Sequence, residues 1–284
     1  MGSKGKKRQR PQQYRKNVLN NDVLDYHVYI MSGKELTLNL VLGFVLGGIV
    51  GLVFYSGLFK EDGMATLWTY VSDAEVFLLG GVAGSILVVP IRQGHLLDKR
   101  QADLRKQFRD LLEAVTASLA AGETTVQSFV NSYKDLTEQY SEDAYICQEL
   151  NQIILGIQNN VDLRIMIADF ASRSASEDIE SFSSVFQVSY QEGGKMNEVM
   201  RNTQDLITEK MEIEDEIESK IASNKLELNL ITVSPVLFVL LLKLSNRSFA
   251  ENFATLTGVI ANTVAICIFI AAYFIGQKII QIKR

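Results

Sequence analysis

Proline is almost missing from this chain, with three in 284 residues and none between Arg92 and Lys225. Because proline breaks helix interiors, that absence leaves a 134-residue stretch open to long helices, and glycine interrupts it only at Gly94, Gly122, Gly156, Gly193 and Gly194. Only two cysteines are present, Cys147 in the charged stretch and Cys267 in an apolar one, which excludes a disulfide framework and a Cys-x-x-Cys site. His27 and His95 stand alone, and neither a phosphate-binding glycine loop followed by Lys-Ser/Thr nor a metal-ligand spacing occurs. Neither a catalytic site nor a cofactor or metal is therefore expected. Paired carboxylates fall only on helical faces expected to be exposed, and the serines from Ser172 to Ser184 suit caps and turns.

What the chain does have is four apolar stretches in two pairs. Leu36 to Phe59 runs 24 residues without a charge and Asn252 to Gln277 runs 26, both long enough to cross a bilayer core. Val76 to Ile91 and Leu228 to Leu242, at 16 and 15 residues, are short enough that charge must decide. Eight Lys/Arg precede the first stretch and six follow the second within 18 residues, so the positive-inside rule puts both clusters in the cytoplasm with an even number of spans between them. The loop Lys60 to Glu75 carries one Lys against Glu61, Asp62, Asp73 and Glu75 and reads as external. The same parity, with Lys220 and Lys225 on one side and Lys278, Lys283 and Arg284 on the other, makes the third stretch a span, with Lys243 and Arg247 as a mild exception. About 35 residues precede the first run, which is too long for the core of a signal peptide, so no cleavable signal is expected. The basic residues through Lys16 read as a disordered tail attracted to anionic headgroups, with no nucleic-acid role.

The resulting expectation is an all-α, polytopic membrane protein. Residues 1–35 form a basic cytosolic segment, 36–91 the first transmembrane pair, 92–225 a cytosolic helical domain, and 226–284 the second pair with a short cytosolic C-terminus. Within the domain, Leu104, Phe108, Leu111, Leu112, Val115 and Leu119 keep the spacing of one helix face, and Gly122 ends that helix. A second helix carries Val126, Phe129 and Leu136, a third Ile146, Leu150 and Ile153, and Asn160 or Asp162 caps a fourth. Ser176 precedes a fifth whose first turn is acidic and which stops at Gly193-Gly194. The sixth starts near Met196 and runs into the third span, with Ile213, Ile217 and Ile221 as its packing stripe.

The run Phe108-Arg109-Asp110-Leu111-Leu112 through Ser118-Leu119-Ala120-Ala121-Gly122-Glu123, with Val126 and Phe129, resembles the first helical hairpin of the type II secretion F-domain family. Gly156 with the helix to Arg173 is similar to that family's second hairpin, and Glu192-Gly193-Gly194-Lys195-Met196 to its Gly-Gly turn. A single such domain between two pairs of spans looks like the platform proteins of tight-adherence (Tad) pili. The resemblance implies a six-helix cytosolic bundle, residence in the cytoplasmic membrane, and a role as platform in pilus assembly or type II secretion. Its implied partners are the assembly ATPase, pilin subunits, a second platform protein or another copy of the chain, and the lipid bilayer. A Pro common in the family near the start of the first hairpin is replaced here by Phe108-Arg109.

Two further features have a plain and a sharper reading. The sixth helix carries eight acids between Glu198 and Glu218, and Glu209, Glu212, Asp215 and Glu216 form either a solvated face or a docking surface for a basic partner. Gly43, Gly47 and Gly51, and likewise Gly80 and Gly84, recur every four residues, which lets helices approach closely in lipid. That seam serves packing within one subunit, a dimer interface, or a groove for an apolar helix. A membrane permease or transport subunit of a secretion system is the alternative function, and it needs an ionisable path across the spans. None is visible in the sequence.

Overall fold

A capping box starts the first helix. The Ser32 hydroxyl accepts the Glu35 amide at 3.3 Å while the Glu35 carboxylate accepts the Ser32 amide at 2.9 Å, and α1 runs Gly33–Tyr55. The computed structural model describes residues 13–60, 64–192 and 196–282. The other helices are α2 Leu67–Ala120, α3 Thr125–Tyr140, α4 Tyr145–Gln158, α5 Leu163–Ser174, α6 Glu177–Glu192, α7 Met196–Ser245, α8 Arg247–Phe253 and α9 Leu256–Ile282. A two-stranded antiparallel hairpin, β1 Tyr14–Lys16 and β2 Asp22–Leu24, precedes them. The chain divides into two compact units. One comprises residues up to Ile30 together with Gln93–Glu212, the other Met31–Arg92 together with everything from Ile213.

In the first unit the helix ends follow local chemistry. Gly122, at φ +92°, closes α2 in a left-handed cap: its amide donates to Leu119 O at 3.0 Å, and the Glu123 amide reaches back to Ser118 O at 3.3 Å. Thr124 then caps α3 by accepting the Gln127 amide at 3.2 Å, and Asp162 caps α5 by accepting the Arg164 amide at 2.8 Å. Glu177, Asp178 and Glu180 lie in the first turn of α6, where the helix dipole favours acids. Gly193 and Gly194 lie outside the described residues.

The core of this unit draws on every helix from α2 to α7. Phe108 of α2 meets Phe182 of α6 edge-on at 5.3 Å, and the rings continue through Phe186 to Phe129 of α3 at 6.0 Å. Leu104, Leu112, Ile146, Leu150, Phe170 and Met200 fill in around them, each almost wholly buried and each contributing about 1.5–3 kcal/mol by leaving water. The packing face of α7 differs from the expected stripe. Met200 and Ile207 are buried and Met196 and Met211 pack beside them, whereas Ile213 is half exposed. At 100° per residue, Ile213 lies about 240° around the helix from Ile207 and so stands on a different face from the buried Met200 and Ile207, while the side chain of Ile221 lies outside the described residues.

The second unit holds the apolar helices. Among the described residues four segments are long and apolar enough to cross a membrane: Gly33–Tyr55, part of Leu67–Ala120, Leu226–Ser245 and Leu256–Tyr273. The last begins four residues later than the charge-free run does, because Asn252 and Phe253 belong to the separate short helix α8. Its N-cap is Asn246, whose side chain accepts the Phe249 amide at 3.1 Å. Polar groups here bond between helices: Tyr55 pairs with Thr263 at 2.9 Å, and the Asn262 amide donates to Phe54 O at 3.4 Å. Thr232 and Ser234 instead donate to carbonyls of their own helix, Leu228 O and Ile231 O.

Of the expected disordered tail through Lys16, residues 1–12 lie outside the described residues, and the part from Gln13 departs from that expectation. From Gln13 on it is folded, because its apolar and amide side chains find partners on the helical unit. Asn17 organises the hairpin turn by accepting the Leu19 and Asn21 amides, each at 2.9 Å, and both Asn17 and Asn21 donate to Gln152 on α4. Val23 and Tyr26 are buried, and the Tyr26 ring meets Tyr145 edge-on at 5.9 Å.

Candidate functional site

Three places carry the residues that matter. In the membrane-type unit, α1 and α2 cross at their glycines. A Cβ on Gly47 would stand 2.2 Å from Gly80 O, and one on Gly84 would stand 2.3 Å from Gly43 O, so any side chain at these positions drives the backbones apart. Gly51 sits against Val76 and Gly80 in the same seam. Gly43, Gly47, Gly51, Gly80 and Gly84 are therefore brought together within one chain. The Ser85 hydroxyl donates across the seam to Leu40 O at 2.9 Å.

The second place is the acidic face of α7. Glu209, Glu212, Asp215 and Glu216 are all exposed. Nearby, Lys210 forms a 2.7 Å ion pair with Asp178 of α6, tying α7 to the bundle. An exposed run of one charge sign steers a basic partner.

Sequence reasoning missed the third place. Arg173 near the end of α5 forks onto Glu149 of α4, Nη1 donating to Oε1 at 2.9 Å and Nη2 to Oε2 at 2.7 Å, while Nε donates to Asp169 at 3.0 Å. The Tyr26 hydroxyl donates to the same Glu149 Oε1 at 3.1 Å, and Arg173 Nη1 also donates to Leu24 O at 2.8 Å. Burial pushes the Glu149 carboxyl above the ordinary carboxylate range, opposed by the Arg173 fork and the Tyr26 hydroxyl. Burial also works against the Arg173 charge, but the Glu149 and Asp169 carboxylates outweigh it and hold the guanidinium protonated. Alone in the sequence, Glu149 and Arg173 read as ordinary charges on helices. The one signal available was Val23 and Tyr26, apolar residues in a polar stretch, and strands of three residues are too short to show alternation.

Aromatic packing, capped helices and an inward ion pair make a rigid scaffold, and the class is an all-α membrane protein with a helical unit set in sequence between paired apolar helices. Residues 111–242, from the last turns of α2 to the apolar part of α7, match the family described as type II secretion system (T2SS), protein F. The chain thus carries an F domain of that family, over just under half of its length. Proteins of this family are membrane platform components that work within secretion and pilus machinery. No curated protein and no solved structure matches the chain.

Proposed function

We propose that this chain is the cytoplasmic-membrane platform of a Tad-type pilus or related type II secretion machine. Its F domain lies in the cytosol, both termini are cytosolic, and four helices cross the bilayer. It has no chemistry of its own and couples a cytosolic ATPase to the movement of pilin subunits. The observation that carries this reading is the family match over residues 111–242, which follows one pair of membrane-length apolar helices and runs into the first helix of a second pair. The positive-inside distribution of Lys and Arg supports the orientation. Exposed acids at Glu209, Glu212, Asp215 and Glu216 suit an electrostatic contact with the ATPase, and the α1–α2 glycine seam suits a stiff, close-packed membrane unit.

The test joins topology to partner capture. Single cysteines at Asp62 and Ser248 react with an impermeant thiol reagent from outside the cell, whereas one at Glu180 reacts only after permeabilisation. A photocrosslinking side chain at Asp215 captures a co-expressed secretion ATPase. Labelling of Glu180 from outside overturns the orientation, and capture of no ATPase overturns the partner.

A further inference from the structure

The N-terminal segment meets the helical unit in the way a peptide meets a receptor. Gln93, Arg100 and Gln101 stand about two turns apart on α2, and all three donate to main-chain carbonyls of the segment: Gln93 to Tyr29 O at 2.6 Å, Arg100 to Val28 O at 3.3 Å, and Gln101 to Tyr26 O at 2.9 Å. From α5, Arg173 supplies both a donor and an acceptor, its Nη1 reaching Leu24 O at 2.8 Å and its carbonyl taking the Tyr26 amide at 2.9 Å. From α4, Gln152 takes both Asn17 and Asn21. Five contacts thus read the backbone, Gln152 reads two asparagine side chains, and Glu149 reads the central one, Tyr26. Tyr26 is fully buried, with its hydroxyl on Glu149. The Arg100 guanidinium closes over the Tyr29 ring at 4.3 Å and holds the outgoing end.

We infer that the groove formed by α2, α4 and α5 is a binding site for a peptide segment, and that its ligand is the chain's own residues 13–30, a hairpin followed by a turn and anchored by Tyr26. Side-chain donors that read main-chain carbonyls along one wall, with a single aromatic pocket at the centre, divide the work as folded domains do when they take a peptide, affinity coming from the backbone and selectivity from the pocket. The pocket is polar at its base. Glu149 keeps both oxygens occupied by Arg173 and has a lone pair left for one more donor, which a tyrosine hydroxyl supplies and a phenylalanine does not. An aromatic residue with a hydroxyl is therefore preferred there. The segment and its groove form a recognition unit that holds without the covalent link between them, and this goes beyond the platform role proposed above.

The full-length protein in detergent tests it. A specific protease site is inserted between Ile30 and Ser32, the purified protein is cleaved, and the two pieces are run through size exclusion in 0.5 M salt, where attachment by exposed charge alone is screened. The released segment is expected to co-elute with the remainder. With Tyr26→Ala, cut from an otherwise identical protein, it is expected to separate, its affinity lowered by at least a hundredfold, and with Tyr26→Phe to dissociate about ten times faster. Because cleavage follows folding and every substitution lies in the ligand, a folding failure of the remainder does not mimic release. Loss of the parent segment on cleavage overturns the inference, and so does equal retention of the Tyr26→Ala segment.

Discussion

Arg173 and Glu149 face each other through two parallel hydrogen bonds of 2.9 and 2.7 Å, and both side chains are more than nine-tenths buried. A buried ion pair of this kind returns little net stability against a well-packed apolar pair, yet breaking it strands one charge. Glu149→Leu is therefore expected to cost about 3–5 kcal/mol, while Glu149→Leu with Arg173→Met recovers much of the loss. Thermal melts of the purified full-length proteins followed by far-ultraviolet circular dichroism check this. A double variant whose loss equals the sum of the Glu149→Leu and Arg173→Met losses would mean that the residues act separately.

The glycine seam gives the second expectation. Gly47→Val places atoms where Gly80 O already lies, and the structure has only backbone to move. An overpacking cost of about 1–3 kcal/mol is expected, with reduced recovery of folded protein from membranes. Gly94→Ala is the control, since a Cβ there meets nothing within 4 Å. It is expected to be neutral or to stabilise α2 by about 0.5–1 kcal/mol. Equal recovery of both variants would show that the seam does not hold α1 on α2.

Much of this fold was legible because its signals are local. A proline-free stretch with apolar residues at helical spacing gives α3 to α6 and the end of α2, and Gly122, Asp162 and Ser176 mark their limits within a residue or two. The five membrane glycines stood out by their spacing of four. By contrast, the docking of the N-terminal segment on the helical unit was invisible. Tyr26 and Glu149 are 123 positions apart and Leu24 and Arg173 are 149, and nothing in the pattern of either segment names the other. On α7 the isoleucine repeat is the cleaner signal, but the residues packed in the core are Met196, Met200, Ile207 and Met211, and Ile213 is half exposed.

Alkaline pH offers a third test. Partial burial, then the donation of its hydroxyl to Asp110 and the charge of that carboxylate, push Tyr140 up to about 12. A phenol raised above its ordinary value near 10 stabilises the fold fully below that pH, and the contribution is lost as pH rises towards 12. Tyr26 and Tyr133 shift the same way, with burial as the main cause in each. Tyr140→Phe is expected to be less stable than the parent at pH 8 and to lose less on moving to pH 11. Melting curves at the two pH values check the slope, and phenolate absorbance checks that one late-titrating tyrosine has gone. Parallel losses in parent and variant would remove Tyr140 as the cause.

The last expectation asks whether the acidic face of α7 is a working surface or only a solvated one. Glu212, Asp215 and Glu216 are exposed, and the packing of α7 on the bundle comes from Met196, Met200, Ile207 and Met211. Reversing the three acids to Lys is therefore expected to leave the melting temperature nearly unchanged. If the face meets a basic patch on the ATPase, capture should fall by about tenfold or more at low ionic strength, and the difference should shrink as salt rises and screens exposed charge over about 10 Å. Folding, insertion and capture are to be measured on one preparation, so that a misfolded sample is not read as a lost contact. A reversed protein that folds and captures the ATPase as well as the parent at low salt leaves the acids with solvation alone to do.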